Sequence, residues 1–415
     1  MGFKAGLPGF RRRRTDRVRA RLAPSDLTAL ELDSAQLLDR APRHIDLRQA
    51  ERFLTGKRVM ITGAGGTIGS ELSRQVAGFE PSELILVDNS EFNLYEIDLE
   101  LRARHSDLAM RSVLVDVCRE PHLRRLFKSA PPNVVLHAAA FKHVPIVENN
   151  HAPAALTNIL GAKNVFDTAI EFGAEAVTFI STDKAVNPTS FMGATKRVAE
   201  LYAQALDIAQ TGTRFTTVRF GNVLGSTGSV APLFQRQIAL GGPITVTHKD
   251  VQRYFMTTRE AVQLVLEAAS LCDESNRVMT HDGRIFVLDM GEPVRIVTLA
   301  ERMITAAGLK PHEDIEIAYT GLRPGEKLFE EVFHDLERLI KTGVEGILLA
   351  SPSMIDLPLL KPRLDDIIKH AKEGDDDCLS AAVNHLVPEF RATPNASCNE
   401  DAEQDAVPPK SRHAD

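Results

Sequence analysis

Short apolar runs alternate with longer amphipathic stretches through the middle of this 415-residue chain. Each short run is almost continuously apolar and rich in β-branched residues, which is typical of strands that are covered on both faces. Because such strands alternate with helical segments, the pattern predicts an α/β protein with a doubly wound parallel sheet. The predicted strands are 57–62, 83–88, 111–116, 133–137, 176–181 and 214–219, and the predicted helices include 91–104 and 152–172.

The composition, 43% hydrophobic and 25% charged, is that of an ordinary globular protein. No apolar run approaches the roughly 18–20 residues that cross a bilayer, and the N-terminus lacks the apolar centre of a secretory signal, so we expect a cytoplasmic protein. The four cysteines form no CxxC pair and no HExxH occurs. We therefore expect neither a metal site nor a disulfide framework.

The net charge of −7 conceals two oppositely charged ends. Residues 1–24 hold eight Lys or Arg against one acid, whereas residues 373–415 hold ten acids against three bases. The acidic end is expected to be a disordered tail. The basic end is expected to be a solvated arm, with peripheral contact to an anionic membrane as the alternative and no nucleic-acid partner.

The first predicted strand runs into a glycine-rich loop, TGAGGTIGS at 62–70, and an amphipathic helix begins at once. Glycine lets the chain turn tightly and lets the backbone approach a pyrophosphate, whose charge is stabilised by the free amides of the helix N-terminus. The order of strand, loop and helix predicts a Rossmann dinucleotide-binding unit. Its expected cofactor contacts are Gly63, Gly66, Thr67, Ile68 and Gly69.

Acidic residues end the second and third predicted strands. Asp88 follows Gly69 by nineteen residues, where a carboxylate would bind the ribose 2′-hydroxyl of the adenosine and repel a 2′-phosphate. No arginine follows directly, so NAD is favoured over NADP. A simple helix-capping role for Asp88 is the alternative. Asp116 and Val117 are expected at the adenine edge.

Changes in this regular spacing predict four segments. Residues 1–45 form the basic arm and linker, and 46–220 form the NAD-binding Rossmann domain. Residues 221–372 form a smaller lobe of mixed structure that is interleaved with the first and binds the substrate, and 373–415 form the acidic tail.

Candidate chemistry follows the fifth predicted strand in the string Ser181-Thr182-Asp183-Lys184, where open α/β sheets place reactive groups. Soon afterwards comes MGATK at 192–196. Together these strings resemble the extended short-chain dehydrogenase/reductase superfamily, which carries a Ser or Thr after this strand and YxxxK on the next helix. Met192 occupies the tyrosine position, and a thioether cannot move a proton usefully. Lys196 could still bind the nicotinamide ribose.

Within that superfamily, residues from about 46 to 335 resemble the CapD-like nucleotide-sugar 4,6-dehydratases of bacterial polysaccharide and glycan biosynthesis. The matching strings are HAAAFKHVP at 137–145, RFGNV at 219–223, RYFMT at 253–257 and GLRPGEKL at 321–328. Methionine in place of the tyrosine is typical of the larger members of that group. Those members carry an N-terminal membrane domain, so we expect this chain to be a soluble version of their catalytic part.

The resemblance implies a redox-neutral dehydration of a UDP-hexosamine: oxidation at C4, loss of the C5 proton and the C6 hydroxyl, and reduction at C6. Thr182 would hydrogen-bond the C4 oxygen, Asp183 would protonate the leaving hydroxyl, and Lys184 would be the C5 base. That base needs a pKa below the ordinary value of about 10.4, through burial or through the neighbouring Lys196. The acceptor of the C4 hydroxyl proton is left unassigned.

The resemblance also implies contacts for both ligands. Ala138 and Ala139 would border the cofactor, and Lys142 would touch cofactor or substrate. Arg253 and Arg323 would bind the UDP pyrophosphate, because guanidinium forks match phosphate oxygens. Further substrate contacts are expected from Asn222, near the sugar or phosphate, and from Glu326, near the uridine ribose.

The expected function is therefore that of an NAD-dependent UDP-N-acetylglucosamine 4,6-dehydratase, acting as a homo-oligomer. One alternative is a UDP-sugar 4-epimerase, which Met192 disfavours, and another is a dehydratase that also inverts C5. A third alternative, of a different class, is a catalytically inactive NAD-binding regulatory protein. The joint presence of Thr182, Asp183, Lys184 and Lys196 argues against it.

Overall fold

A computed structural model describes residues 37–38, 40, 43–271, 283, 285–333 and 339–391 of the chain. The strands are β1 Arg58–Thr62, β2 Glu83–Asp88, β3 Met110–Leu114, β4 Val134–His137, β5 Ala176–Ile180, β6 Arg214–Arg219, β7 Asn222–Leu224, β8 Ile244–Val246, β9 Gln252–Arg253, β10 Phe255–Thr257, β11 Ile285–Leu288, β12 Val294–Arg295, β13 Ile317–Tyr319, β14 Ile340–Lys341 and β15 Ile347–Ala350.

The helices are α1 Arg48–Leu54, α2 Thr67–Ala77, α3 Glu91–Arg104, α4 Glu120–Ser129, α5 Val144–Val147, α6 His151–Ala155, α7 Ala162–Glu171, α8 Phe191–Ala209, α9 Val230–Ala239, α10 Thr258–Ser270, α11 Ile296–Ala306, α12 Leu357–Glu373 and α13 Asp376–Leu386. A π-helical turn, Leu156–Gly161, joins α6 to α7, and a 3₁₀ turn, Asp183–Ala185, follows β5.

A central nine-stranded sheet has the order β14-β15-β11-β6-β5-β4-β1-β2-β3. The strands from β11 to β3 in this order pair in parallel, and β14 and β15 add an antiparallel edge. Apolar side chains cover both faces of the sheet. The predicted Rossmann fold class is confirmed. Because β1 has β2 on one side and β4 on the other, the winding reverses there, which opens a crevice at the carboxyl ends of these strands.

Strand limits agree closely with the hydrophobic pattern, since 83–88 and 214–219 are strands as predicted. The third strand ends at Leu114, so Asp116 lies two residues beyond it. The predicted helix 91–104 is present. The predicted helix 152–172 is interrupted by the π-helical turn, which the apolar periodicity does not reveal.

The smaller lobe contains three short strand pairs, β7 with β10, β8 with β13 and β9 with β12. Its own core gathers α9 and α11 around Phe234, Ile244 and Leu299. Later parts of the same segment return to the first domain, because β11 and β15 join the central sheet and α10 covers one of its faces. The two lobes are thus interleaved along the chain.

The prediction of a disordered tail from residue 373 is wrong for residues 373–391. Asp375 caps α13 by accepting a hydrogen bond from the Cys378 amide at 3.0 Å, and the apolar side of α13 joins the main core. Asp376 and Asp377, in the first turn of α13, are exposed. The acidic residues therefore lie on the solvent side of an amphipathic helix, whose other side is buried in the core.

Residues 1–36 and 392–415, with most of the basic arm and the rest of the acidic tail, lie outside the described residues. In the linker part of the segment 1–45, Leu37 and Leu38 are buried in the smaller lobe, and Arg40 pairs with Glu260 at 2.8 Å. Two cysteines, Cys272 and Cys398, also lie outside the described part. Within the described part, no helix has the length and apolar content needed to cross a membrane.

Candidate active site

The glycine-rich loop after β1 is held by backbone contacts that only glycine permits. Gly63 has φ +69°, and a Cβ there would lie 2.7 Å from the Ala139 amide nitrogen. A Cβ on Gly69 would lie 1.9 Å from the Gly63 carbonyl oxygen. The loop and the Ala138–Ala139 backbone therefore pack tightly together at the N-terminus of α2, which is the cradle that a pyrophosphate requires. Both alanines lie beside this cradle.

Asp88 closes the other side of the loop. Its carboxylate is largely buried, accepting hydrogen bonds from the Gly65 amide at Oδ2 and from the Ser90 amide at Oδ1, both at 2.9 Å. A carboxylate has about four acceptor positions, so lone pairs remain for ribose hydroxyls. The geometry fits both the predicted ribose contact and the alternative local role. The chemistry of this cradle and acid fits a dinucleotide.

The residues predicted at the adenine edge follow β3. Asp116 Oδ1 accepts a hydrogen bond from the Cys118 amide at 2.9 Å. Val117 is buried against the π-helical turn, where a Cβ on Gly161 would lie 2.7 Å from Val117 Cγ2. The Val117 carbonyl accepts from Asn164 Nδ2 at 2.9 Å. Helix packing thus fixes this segment at the third-strand side of the crevice.

Asn158, which the sequence reasoning missed, organises the loop after β4. Its Oδ1 accepts from the Phe141 amide at 2.8 Å, and its Nδ2 donates at 3.0 Å to both the Phe141 carbonyl and Thr195 Oγ1. One buried amide thereby ties the loop to α8. The π-helical turn that aims this side chain has no recognisable sequence signal. On the same loop, Lys142 is exposed, as a ligand contact requires, and partial desolvation lowers its pKa.

The string after β5 forms a compact polar centre. Thr182 accepts from the Lys184 amide at the start of the 3₁₀ turn and donates to Asp183 Oδ1 at 2.9 Å. Lys184 Nζ donates to the same Oδ1 at 2.9 Å. The Asp183 side chain is fully buried, and among the described residues its Oδ2 has no hydrogen-bond partner. The structure therefore brings the predicted aspartate and lysine into direct contact.

Lys184 has a raised pKa, contrary to the expectation that its pKa is lowered. Burial alone would lower it, but the charges of Asp183 and Glu330 outweigh that effect. Glu330 Oε1 lies 3.5 Å from Lys184 Nζ, and Asn222 Oδ1 accepts from Nζ at 3.1 Å. Asn222, predicted near the sugar or phosphate, thus contacts Lys184. Sequence spacing could not show that a distant glutamate faces this amine.

Lys196 is the lysine whose pKa is lowered, to about 7, because it is buried, while the charge of Glu200 opposes that shift. Its Nζ donates to the Ile180 carbonyl at 2.6 Å and lies 3.9 Å from the centre of the Phe179 ring. Met192, one turn earlier on α8, is buried in the main core. The methionine therefore replaces the tyrosine by packing and adds no polar group.

His137 is the last residue of β4 and is also buried. Its Nδ1 is 2.6 Å from Thr62 Oγ1, and its ring stacks on that of Phe179 at 5.8 Å between centroids. Burial, with a smaller contribution from the charge of Lys196, lowers the pKa of His137 to about 3. The imidazole is therefore neutral, and it packs against the rings of Phe166 and Phe179.

The predicted substrate arginines differ in how far they are free to bind. Arg253 is buried, and its guanidinium donates to the carbonyls of Gln252 at 2.6 Å and Lys327 at 2.8 Å. Arg253 also pairs with Glu326 at 3.4 Å. Arg323 is exposed, and its guanidinium has no partner among the described residues. Of the two, Arg323 has the exposed guanidinium, whereas that of Arg253 is engaged by the protein.

Glu326, predicted near the uridine ribose, closes the turn that carries Arg323. Its Oε1 accepts from Thr247 Oγ1 at 2.9 Å, and its Oε2 accepts from the Arg323 amide at 3.1 Å. Its carboxylate therefore ties the turn that carries Arg323 to Thr247.

Together, the glycine-rich cradle, the buried Asp183–Lys184 pair and the parallel sheet define a member of the extended short-chain dehydrogenase/reductase class. More narrowly, the chain belongs to the family described as polysaccharide biosynthesis protein, whose model matches residues 59–352. The resemblance inferred from the sequence motifs is thus confirmed.

Three curated relatives show the range of the likeness. The capsular polysaccharide biosynthesis protein CapD of Staphylococcus aureus is 45% identical over 323 residues, 78% of this chain and 52% of that protein. This chain therefore spans about half of that relative. A UDP-N-acetylglucosamine 4,6-dehydratase (inverting) of Campylobacter jejuni is 32% identical over 306 residues, 73% of this chain and 85% of that protein. A UDP-glucose 4-epimerase of Rickettsia canadensis is 33% identical over 287 residues, 66% of this chain and 77% of that protein.

Solved structures share the fold. The X-ray structure of Pen from Bacillus thuringiensis has a TM-score of 0.64 at 33% identity and covers 72% of this chain and 89% of its own. DesIV, a dTDP-glucose 4,6-dehydratase from Streptomyces venezuelae solved with NAD bound, has a TM-score of 0.55 at 20% identity. That alignment covers 67% of this chain and 87% of DesIV.

Proposed function

We propose that this chain is an NAD-dependent UDP-N-acetylglucosamine 4,6-dehydratase, which produces a UDP-4-keto-6-deoxy-hexosamine for bacterial polysaccharide or glycan synthesis. The observation that carries the proposal is the 2.9 Å hydrogen bond from Lys184 to the buried Asp183 at the carboxyl end of β5, beside a cradle that fits a dinucleotide. The dehydratase relative from Campylobacter jejuni supports the substrate class.

NAD would be held by the loop from Gly63 to Gly69 and by Asp88. When bound, the nicotinamide supplies the redox chemistry, accepting a hydride from C4 of the sugar and returning it to C6. The buried Asp88 carboxylate favours NAD, because a 2′-phosphate placed there would meet a negative charge. The NAD-bound DesIV structure is consistent with this choice of cofactor.

The Asp183–Lys184 contact provides a route to the protonation states that the dehydration needs, a neutral amine as base and a protonated carboxyl group as acid. As an ion pair, neither group is the acid or the base that the elimination needs. Transfer of one proton across the hydrogen bond gives a neutral Lys184 amine and a protonated Asp183 together. The amine then removes the C5 proton, and Asp183 gives its proton to the leaving C6 hydroxyl, which departs as water. Both residues then have their original charges. As C6 is reduced, the Lys184 ammonium returns a proton to C5, and the proton released by oxidation of the C4 hydroxyl restores the ammonium, so no proton is gained or lost over one turnover.

Thr182 and Lys196 would complete the site. Thr182 donates to Asp183 here, so it must turn its hydroxyl to reach the C4 oxygen of a sugar. Lys196 would bind the nicotinamide ribose from its place on α8. Arg323 offers an exposed guanidinium to the UDP pyrophosphate, and Lys142 lies on an exposed loop at the same edge.

Proton NMR in heavy water tests the proposal directly. In a mixture of purified protein, NAD and UDP-N-acetylglucosamine, the C6 hydroxymethyl signals should be lost and those of a methyl group gained. Product made in ordinary water keeps a proton at C5, and its C5 coupling reports whether C5 is inverted. Asp183→Asn and Lys184→Ala should each lower the rate about 100-fold or more, whereas Lys57→Ala, in a remote surface ion pair with Glu175, should not.

Other outcomes distinguish the alternatives. A C4 epimer with unchanged C6 signals would identify a 4-epimerase, the activity named for the Rickettsia relative. The buried Met192 argues against that outcome, because epimerases of this superfamily normally rely on the tyrosine that it replaces. NAD binding without turnover of any UDP or dTDP sugar would identify a regulatory protein.

A further inference from the structure

A second buried carboxylate faces the catalytic lysine from the smaller lobe. Glu330 is only 5% exposed, and its Oε1 lies 3.5 Å from Lys184 Nζ and 3.6 Å from Arg253 Nε. Among the described residues its Oε2 has no hydrogen-bond partner. Lys184 is thus placed between Asp183 on its own segment and Glu330 on a segment almost 150 residues later in the chain.

The four charges at this point alternate. Asp183 and Glu330 are acids, and Lys184 and Arg253 are bases. Isolating a carboxylate from water costs several kcal/mol unless cations compensate it, and each acid here has a cation within reach. With Asn222, the two acids give the three N–H bonds of the Lys184 ammonium three oxygens.

The segment that carries Glu330 also holds the chain that follows the 3₁₀ turn Asp183–Ala185. Lys327 Nζ donates to the Val186 carbonyl at 3.0 Å, and Glu331 Oε2 accepts from Asn187 Nδ2 at 3.0 Å. Thr189 Oγ1 donates to the Gly325 carbonyl at 3.2 Å. Side chains and backbone of residues 184–189 are therefore fixed by the same loop that presents Arg323.

We propose that Glu330 is a positioning residue for the dehydration, holding the Lys184 amine against Asp183 and linking this pair to the lobe that binds the nucleotide sugar. The inference rests on the proposed function. Without the Glu330 charge, Lys184 would face the Arg253 cation directly, and the two would repel each other. The amine would then move from Asp183 and become easier to deprotonate.

The other charged or titratable groups nearby leave this argument unchanged. Glu326 pairs with Arg253 and accepts a hydrogen bond from Thr247, and its charge is not among those that shift the Lys184 pKa. Tyr254 is close to Asp183, and burial and neighbouring acids raise the pKa of its phenol, so it stays neutral. Asp183, Glu330 and Arg253 are the charged groups that act on Lys184.

Steady-state kinetics with UDP-N-acetylglucosamine test the positioning role. Glu330→Gln should lower kcat about tenfold or more with KM changed less than about threefold, because Glu330 orients a reacting group and does not bind the substrate. Glu330→Asp keeps the charge with a shorter reach and should recover part of kcat. An unchanged kcat in folded Glu330→Gln, or a loss confined to KM, would overturn the proposal.

Competitive labelling of lysines provides a second readout that needs no activity. An amine-reactive acetylating reagent is applied between about pH 7 and 11, and modification of the Lys184 peptide is followed by mass spectrometry. The labelling midpoint of Lys184 should move to lower pH in Glu330→Gln. It should stay in place in Glu331→Gln, which removes a neighbouring carboxylate that does not contact Lys184.

The two readouts separate the failure of this inference from the failure of the proposed function. If wild-type protein turns over no nucleotide sugar but the Lys184 midpoint shifts only in Glu330→Gln, the electrostatic link holds and the dehydratase assignment fails. If wild-type protein is an active dehydratase and the midpoint does not shift, the role of Glu330 is refuted.

Discussion

The ring of Phe390 packs edge-on against that of Phe191, with 6.4 Å between the ring centroids. Phe191 begins α8, the helix that carries Met192 and Lys196. The next residue, Arg391, donates its amide to the Pro188 carbonyl at 3.0 Å, within the segment that follows the 3₁₀ turn Asp183–Ala185. The C-terminal segment therefore supports the base of the candidate active site.

Replacement of Phe390 should reveal this support. Phe390→Ala removes a ring that is 7% exposed, and it should lower the free energy of unfolding by about 3 kcal/mol, as is typical of large core deletions. Urea unfolding followed by circular dichroism measures the change. Phe92→Ala, at a ring that is 66% exposed, is the matched control and should change stability by less than about 0.5 kcal/mol. Equal effects would show that the C-terminal segment is not part of the core.

The glycine-rich loop should not tolerate a methyl group at Gly69. Gly69→Ala places Cβ against the Gly63 carbonyl, so the loop must open, and we expect a loss of about 1–3 kcal/mol in stability together with weaker NAD binding. Urea unfolding and isothermal titration calorimetry measure the two effects. Gly212→Ala is the control, because its Cβ would lie 3.6 Å from the flexible Gln210 side chain. NAD binding by Gly69→Ala equal to that of wild type would exclude this loop as the cofactor site.

Asp88 should set the choice between the two nicotinamide cofactors. Asp88→Asn keeps the shape but removes the charge, so NAD should bind about tenfold more weakly while the penalty against NADP shrinks. Calorimetric titration with each cofactor gives both dissociation constants. Asp107→Asn, on an exposed turn, is the control for charge alone. The assignment fails if the ratio of the two constants is the same in wild type and Asp88→Asn.

His137 should make stability fall in acid. Its pKa is lowered to about 3 in the folded protein, whereas an unfolded histidine titrates near 6.5, so the unfolded chain binds more protons between these values. The contribution of the neutral imidazole to the free energy of unfolding is present in full above about pH 6.5. It is lost as the pH falls, by up to about 1.4 kcal/mol per pH unit. Urea unfolding at pH 7, 6 and 5 should show a steeper loss in wild type than in His137→Gln. Parallel slopes would mean that the buried imidazole does not titrate.

Local chemistry made much of this protein predictable. The β-branched runs gave the strands of the parallel sheet, because a strand buried on both faces must be apolar at nearly every position. The glycine-rich loop was predictable because Gly63 and Gly69 are required by contacts with residues that lie close in the chain or on the neighbouring strand. Asp183 and Lys184 could be paired because they are adjacent in sequence and follow a strand end.

Long-range contacts decided what the sequence reasoning missed. Glu330 reaches Lys184 only because the smaller lobe folds back onto the sheet, and its charge adds to that of Asp183 in raising the Lys184 pKa. The carbonyls that accept from the Arg253 guanidinium, one of them on the distant Lys327, could not be identified from the sequence. The acidity of residues 373–391 suggested disorder, since charge counts do not record which side of a helix is covered.

By itself, the sequence determined the sheet, the dinucleotide cradle and the reactive string, because each of these depends on residue types within a few positions or on neighbouring strands. The tertiary structure alone decided the protonation and orientation of the lysines, the partners of the arginines and the place of the C-terminal helix. These properties depend on burial and on charges from remote segments, and Coulomb energies and desolvation follow distance in space, which chain separation does not give.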